Sequence, residues 1–313
     1  MLSFTIQKEE ADQTVISLLK KKFKSTPLSL IHKLFRTKKV QINGKSIRYY
    51  HHRLKRGEVI NVYDNSLKFH QPKFSPPAKT EIDLAIIYED ENILLVVKEP
   101  NVEVHSKESS NCLNNAVRYY LYQQNPFHYQ EQVKSLFILN AVHRLDKLAT
   151  GLVIYPKNST AKRILSNAIN DKEKITKKYL ALCESSSKKR LPNYVSGYLG
   201  KNEKAEKMEF SPSQGKENAK HCALEIKEIN QKNNHLLLEI TLQTGRKHQI
   251  RTVLAYFGCP IMGDRKYGSK IILSNQIYLF AYKIIFNNLS APLSYLNGQE
   301  FRLEGLESKL GKI

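Results

Sequence analysis

Helical and strand spacings alternate over the first 65 residues. Apolar positions recur at helical intervals in 15–23 and again in 28–35, which predicts two short helices. Residues 39–45 alternate polar and apolar side chains up to an Asn-Gly pair, a typical signal for a two-residue hairpin turn. A further short strand is predicted at 59–62. The pattern therefore indicates a small α/β unit at the start of the chain.

A proline-rich stretch follows this unit. Residues 71–80 contain three prolines, which neither a helix interior nor a central strand accommodates. This composition predicts a linker, and with it a domain boundary. We expect an N-terminal domain of residues 1–70 and a larger domain of residues 81–313.

The larger domain mixes both periodicities. Strands are predicted at 86–88, 93–97, 152–155, 179–183 and 235–242, and helices at 113–122, 161–169 and 249–257. We find no internal repeat and no strand followed by a glycine-rich phosphate turn. The expected fold class is therefore α+β, with a mixed, largely antiparallel sheet.

Charge adds the first information about a partner. The formal net charge is +21, and residues 1–75 hold 16 Lys and Arg against 5 Asp and Glu. An excess of this size and uneven distribution favours a polyanionic partner such as nucleic acid. The alternative is a solvated, lysine-rich surface without a specific ligand.

Other classes of protein are disfavoured. The four cysteines lie far apart without a CxxC pair, which argues against a structural zinc site and a disulfide scaffold. No apolar run approaches the roughly 20 residues of a membrane span, and the first residues lack a signal-peptide core. We therefore expect a cytoplasmic protein, most simply a monomer, that binds no metal.

Two segments concentrate chemically active side chains. Residues 143–152 read HRLDKLATGL and place a carboxylate between cations just before a predicted strand. Residues 244–251 read TGRKHQIR and gather basic groups at the start of a predicted helix, whose N-terminus favours anions. A glycine-punctuated loop, GCPIMGDRKYG, follows at 258–268. Taken singly, each segment is equally typical of a solvated charged surface.

With these segments in this order, the chain resembles the RluA family of pseudouridine synthases. The chain reads EDENILLVVKEP at 89–100, then HRLD, then KYLAL at 178–182, then GRKHQIR and GCPIMGDRKYG. The likeness spans about residues 85–285. The N-terminal unit, with VQING at 40–44 and GEVINV at 57–62, resembles the S-four-like RNA-binding domain that often accompanies this family.

The resemblance implies a reaction and a set of residues. Family members turn uridine into pseudouridine in RNA and use no cofactor. Asp146 matches the catalytic aspartate, Tyr179 the tyrosine that stacks on the target base, and Arg251 the cation that pairs with the aspartate. Arg144 matches the arginine that fills the gap left by the flipped nucleotide. The residues expected to contact RNA are Arg144, Lys147, Arg246, His248, Gln249, Arg36, Lys38 and Lys39.

The target is less defined by the resemblance. The chain has Ala149-Thr150 where the family usually has Thr-Ser, and Val253 and Phe280 where it often has histidine. Large-subunit (23S) ribosomal RNA is the expected substrate, with transfer RNA as an alternative. Two other functions stay open at this point. One is a non-catalytic RNA-binding protein of ribosome assembly, and the other is a hydrolase using Asp146 and His248.

Overall fold

The structure is a computed structural model. It describes residues 1–7, 10–64, 67, 74–185, 191–214, 217–232 and 234–313. The chain forms two compact units. One comprises Met1–Lys79, Val117–Asn140 and Pro156–Arg163, and the other comprises Thr80–Ala116, Ala141–Tyr155 and Ile164–Ile313. Among the described residues, no helix reaches the length and apolarity that a membrane crossing needs.

The start of the first unit is a four-stranded antiparallel sheet with two helices. Its elements are β1 (Leu2–Thr5), α1 (Val15–Lys22), α2 (Leu28–Arg36), β2 (Val40–Ile42), β3 (Lys45–Ser46) and β4 (Val59–Val62). The strand order is β1-β4-β2-β3. Both predicted helices and the predicted hairpin are confirmed. The hairpin forms because Asn43 and Gly44 adopt φ values of 49° and 80°, the left-handed region that such a turn requires.

The domain boundary predicted at 71–80 stays a prediction. Residues 71–73 lie outside the described part of the chain. The first compact unit also takes in Val117–Asn140 and Pro156–Arg163, which come much later in the sequence.

The remaining elements have the following bounds. The helices are α3 (Leu113–Gln124), α4 (Pro126–Lys134), α5 (Ser159–Ala168), α6 (Gln249–Tyr256) and α7 (Leu306–Leu310). The strands are β5 (Ala85–Glu89), β6 (Ile93–Lys98), β7 (Thr150–Pro156), β8 (Ile175–Glu184), β9 (Tyr194–Asn202), β10 (Lys207–Ser211), β11 (Lys220–Lys232), β12 (His235–Leu242), β13 (Leu279–Phe286) and β14 (Glu300–Arg302).

These strands form a ten-stranded sheet within the described residues. Nine follow the order β10-β9-β11-β12-β8-β13-β7-β6-β5, and β14 pairs with β13. The five strands from β8 to β12 pair antiparallel with one another, whereas β13 pairs parallel to β7. The predicted largely antiparallel sheet is therefore confirmed. Gly151 is needed at the parallel pairing, because a Cβ there would overlap the backbone of Ala281 on β13.

Strand β8 presents two chemically different faces. Successive side chains of a strand point to opposite faces. Tyr179 and Lys177 therefore share one face, while Lys178 lies on the other with Leu180 and Leu182, which pack into a buried apolar cluster. The sequence pattern predicted β8 only from residue 179, since the polar residues 176–178 conceal the start of the strand.

Candidate active site

A buried lysine binds the backbone of the loop that carries Asp146. Lys98, at the end of β6, is fully buried, and its Nζ donates to the carbonyl oxygens of Glu99, Val102 and Lys147 at 2.8–2.9 Å. Burial lowers the pKa of Lys98 to about 8, against the raising effect of the charges of Asp146 and Glu99. The bond to the Lys147 carbonyl fixes the backbone directly after Asp146.

Arg251 joins Asp146 to a second carboxylate. Its Nε and Nη2 donate to the two oxygens of Asp264 at 2.7 and 2.8 Å, and its Nη1 donates to Asp146 Oδ2 at 3.3 Å. Arg251 is 4% exposed and Asp264 is 1% exposed. Burial by itself lowers the pKa of Arg251, but the hydrogen bonds and charges of Asp264 and then Asp146 together outweigh burial and raise the pKa. The guanidinium is thus a fixed cation beside Asp146.

His248 occupies the other side of the Asp146 carboxylate. It stands at the N-terminus of α6 with φ 54°, and its Nε2 lies 3.9 Å from Asp146 Oδ1. Its Nδ1 lies 2.8 Å from the Tyr267 hydroxyl, whose oxygen accepts the backbone N–H of Met208 at 3.1 Å. Because the buried hydroxyl finds an acceptor in Nδ1, we assign the Nε2–H tautomer.

His248 is neutral at physiological pH. Burial lowers its pKa to about 4, and the nearby Arg251, Lys247 and Lys266 lower it further against the raising effect of Asp146. A neutral imidazole with Nε2–H is a hydrogen-bond donor towards the Asp146 side.

His143 is likewise kept neutral. Its Nε2 accepts the backbone N–H of Ile154 at 3.2 Å, which ties the start of the Asp146 loop to β7. Burial, and then the charge of Lys177, lower the pKa of His143 to about 3.

Tyr179 lies in the same cavity as Asp146. Its side chain is 6% exposed, and burial followed by the Asp146 charge raises the pKa of its phenol well above the usual value. The phenol therefore stays protonated. The cavity has a volume of about 390 Å³, and its lining includes Asp146, Tyr179, His248, Arg251 and the apolar Leu279.

The structure brings together most of the predicted residues of this region. Arg144 and Arg246 are exposed and line the cavity. Lys147 is exposed and contributes its backbone carbonyl to Lys98. Arg246 is oriented by a bond from its Nε to the carbonyl of His221 at 3.0 Å.

Gln249 has a different place from the RNA contact predicted for it. It is 3% exposed, its Oε1 accepts from Thr244 Oγ1 and the Arg246 backbone N–H, and its Nε2 donates to the Ala223 carbonyl. Its amide is thus occupied within the protein, and it holds the 244–246 turn against β11.

The N-terminal candidates form a separate group. Arg36, Lys38 and Lys39 are all exposed at the end of α2. The Nζ of Lys39 pairs with Asp64 at 2.9 Å. Their contact with RNA stays a prediction.

Three residues of the site lay outside the predicted set, namely Lys98, Asp264 and Tyr267. Signals for them exist in the sequence. A lysine that ends the apolar run 93–97 is an unusual buried cation, and Asp264 and Tyr267 both lie in the glycine-punctuated loop. Among the described residues, no group of three or more His, Cys, Asp or Glu side chains is arranged to hold a metal ion.

Comparison with known proteins decides the family. Residues 92–256 match the family model described as RNA pseudouridylate synthase. The chain belongs to this family. It is 39% identical over 300 residues to an "Uncharacterized RNA pseudouridine synthase" of Mycoplasma capricolum subsp. capricolum, with 96% of each chain covered.

Two further comparisons agree with this membership. The "Ribosomal large subunit pseudouridine synthase C" of Buchnera aphidicola subsp. Acyrthosiphon pisum is 29% identical over 268 residues, covering 84% of this chain and 79% of that one. The solved structure of "Human RNA Pseudouridylate Synthase Domain Containing 4" superposes with a TM-score of 0.52 at 18% identity, covering 70% and 88% of the two chains. The last likeness concerns the fold alone.

This protein is therefore an RNA pseudouridine synthase, an enzyme that isomerises uridine within RNA. The reaction, the α+β fold and the family predicted from the sequence are confirmed. RNA is its substrate class, and family membership excludes the hydrolase alternative.

Proposed function

We propose that this enzyme modifies uridines of large-subunit ribosomal RNA and that Asp146 is its catalytic carboxylate. The observation that carries the role of Asp146 is its position in the cavity between Arg251 and His248, beside Tyr179. The substrate is supported by several relatives named ribosomal large subunit pseudouridine synthase C, which cover most of this chain. We infer that the enzyme acts in the cytoplasm as a monomer.

The reaction explains why such a cavity is needed. The bond between N1 of uracil and C1′ of ribose breaks, the base turns, and a bond from C5 to C1′ forms, while C5 loses its proton to solvent and N1 takes one up. The uridine must first leave its stack, at a cost of a few kcal/mol. Stacking on the Tyr179 ring, worth roughly 1–3 kcal/mol per base, offsets part of this cost. Because the Tyr179 phenol is neutral, it places no charge beside the uracil ring.

Asp146 must be ionised in each of its alternative roles, whether it attacks the ribose, attacks the base or removes a ribose proton. Arg251 supplies the counter-charge. Because Asp264 binds one edge of the guanidinium through both Nε and Nη2, the cation needs no reorganisation when charge shifts on Asp146 during the reaction. Arg144 lies at the rim of the same cavity and is proposed to occupy the place of the flipped nucleotide.

The remaining basic residues are assigned to the RNA backbone. Lys147, Arg246, Arg36, Lys38 and Lys39 are exposed cations and are proposed to contact phosphates, which position RNA without reading its sequence. His248, as a neutral donor, is proposed to contact the target nucleotide itself.

Asp146→Asn tests the catalytic assignment. With a 23S ribosomal RNA transcript labelled with 5-³H-uridine, the variant should release tritium about 10²- to 10⁴-fold more slowly than the wild type, the range of a lost acid–base group. Its affinity for the transcript should stay within a few-fold. Asp83→Asn, the same change at an exposed aspartate, should leave release unchanged. Normal turnover by Asp146→Asn would contradict the proposal.

The substrate is tested separately. Pseudouridines are mapped by carbodiimide-blocked reverse transcription in a strain that lacks the gene. We expect at least one site to disappear from large-subunit ribosomal RNA. Loss confined to transfer RNA would replace the proposed substrate while leaving the assignment of Asp146 intact.

A further inference from the structure

A second hollow adjoins the cavity that holds Asp146. Its volume is about 350 Å³, and it shares Lys177, Arg246 and four other lining residues with the first cavity. Among the described residues, its lining carries the basic side chains of Lys172, Lys177 and Arg246 and no Asp or Glu. The two hollows thus form one groove, and the part lined by Lys172, Lys177 and Arg246 is basic.

Lys177 has no counter-ion in this groove among the residues that the structure describes. Its Nζ donates to the carbonyl of Ile169 at 2.8 Å. Burial lowers the pKa of Lys177 to about 8, and no carboxylate of the described residues offsets that effect. A half-buried cation whose one hydrogen-bond partner among the described residues is a carbonyl is poorly compensated and gains from an anion brought by a ligand.

The next residue on β8 shows the contrast. Lys178 lies on the opposite face of the strand, where its Nζ pairs with Glu239 Oε1 at 3.0 Å. Two adjacent lysines of one strand therefore differ in just this respect, since one has a protein carboxylate and the other faces the groove. Among the described residues, a carboxylate partner is therefore absent on the face of β8 that lines the groove and present on the opposite face.

The position relative to Tyr179 indicates which anion is expected. Lys177 and Tyr179 are one strand repeat apart on the same face, roughly 7 Å. A uridine that stacks on Tyr179 brings its own phosphodiester groups within that range.

We propose that Lys177, with Lys172 and Arg246, forms a subsite for the phosphodiester group adjacent to the target uridine. The inference rests on the proposed placement of that uridine beside Asp146 and Tyr179. The phosphate supplies the counter-charge that Lys177 lacks, so binding of RNA and protonation of Lys177 are coupled.

Equilibrium binding of a 12-residue oligouridylate tests the subsite without turnover. Lys177→Met should weaken binding about 5- to 10-fold at low salt and should make the slope of log K against log [salt] shallower by about 0.7, the value for one phosphate contact of a single strand. Lys178→Met is the matched control and should change neither quantity. Equal losses in both variants, or an unchanged slope in Lys177→Met, would overturn the proposal.

The pH dependence gives a second, independent readout. A bound phosphate raises the pKa of Lys177 above its free value of about 8, so wild-type affinity should fall as the pH rises through 8 to 9. Lys177→Met should lose this fall. Lys177→Arg should keep the wild-type salt slope but also lose the fall, because arginine does not deprotonate in this range. A fall of wild-type size in Lys177→Arg would contradict the coupling.

Mononucleotides identify the phosphate. The ¹³Cε signal of Lys177, assigned with Lys177→Arg, is followed on addition of uridine, uridine 3′-phosphate or uridine 5′-phosphate. One phosphate isomer should shift the signal and raise the pKa of Lys177, whereas uridine should not. An unchanged Lys177 signal with both phosphate isomers would contradict the proposed subsite.

The binding and NMR measurements do not depend on turnover. A negative result for the phosphate subsite is therefore distinguishable from a failure of the proposed catalytic role of Asp146. Unfolding by urea checks that Lys177→Met folds. Its stability should equal or exceed that of the wild type, because a half-buried charge with no counter-ion among the described residues is removed.

Discussion

Basic side chains differ in burial and in role between the cavity around Asp146 and the surface at the end of α2. Arg251 and Lys98 are 4% and 0% exposed, and each is held by several acceptors within the protein. Arg36 and Lys38 are exposed on the N-terminal surface. The first pair determines where the Asp146 carboxylate lies and what charge stands beside it. The second pair adds positive potential that acts at a distance and is screened by salt.

Net charge alone therefore does not locate function in this protein. The N-terminal 75 residues hold over half of the net charge, yet the cavity depends on few cations with fixed partners. Changes in the cavity should alter stability and turnover, and changes at the surface should alter affinity and its salt dependence.

Asp264→Asn should have the largest effect of the changes in the two regions. It removes the carboxylate that compensates the buried Arg251, so the free energy of unfolding should fall by about 3–5 kcal/mol. Urea denaturation measures the change. Glu203→Gln breaks the exposed pair with Lys201 and should cost less than about 1 kcal/mol. Similar costs for the two variants would mean that burial does not decide what it costs to break an ion pair in this protein.

Tyr267→Phe should have an intermediate effect. It keeps the ring beneath the Arg251 guanidinium, whose Cζ lies 5.0 Å from the ring centroid, but removes the hydroxyl bonded to His248 and Met208. We expect a loss of about 1–3 kcal/mol in stability. The pKa of His248 should rise, since the bond that favours its neutral form is lost. Nitrogen-15 NMR of the imidazole reports both tautomer and pKa.

The control for this variant is Tyr256→Phe, at a half-exposed tyrosine. It should leave stability and the His248 signals unchanged. A His248 ring that carries its proton on Nδ1 in the wild type would refute the assigned tautomer.

Acid should weaken the folded state through the cavity histidines. The folded pKa values of His143 and His248, about 3 and about 4, lie below the unfolded value of about 6.5. The unfolded chain therefore binds more protons between these values, and stability falls as the pH drops from 6.5 towards 4. Each histidine contributes at most about 1.4 kcal/mol per pH unit.

His143→Gln should reduce this slope, because the amide oxygen can accept the Ile154 N–H without titrating. The exposed His105→Gln should leave the slope unchanged. Urea unfolding at pH 4.5, 5.5 and 6.5 provides the measurement. Parallel slopes for wild type and His143→Gln would show that His143 is not kept neutral by the fold.

Arg36→Gln and Lys38→Gln should have the smallest effects. Each should weaken binding of the ribosomal RNA transcript a few-fold and reduce the salt slope by about 0.7–0.9 if it contacts one phosphate, with turnover at saturation unchanged. Lys39→Gln should do less, since Asp64 already pairs with Lys39. The exposed Lys309→Gln is the control. A loss of maximal turnover in Arg36→Gln would contradict a purely electrostatic role.

Local sequence signals predicted local structure well. The Asn43–Gly44 turn and the two helices before it were found where expected, because a positive φ and a helical apolar stripe are decided by neighbouring residues. β9, β10, β13 and β14 were not predicted. β11 was also missed, although Cys222, Leu224 and Ile226 alternate along it and are buried.

The sequence by itself determined the reaction class, the sheet-based fold and the candidates Asp146, Tyr179 and Arg251, since the ordered motifs are specific to one family. Only the tertiary structure decided how they are supported. Arg251 reaches Asp146 across 105 positions, and Lys98 reaches the Lys147 carbonyl across 49. Such contacts depend on which strands pair. The opposite roles of Lys177 and Lys178 likewise depend on the face of β8 on which each lies, a distinction that no reading of the two letters reveals.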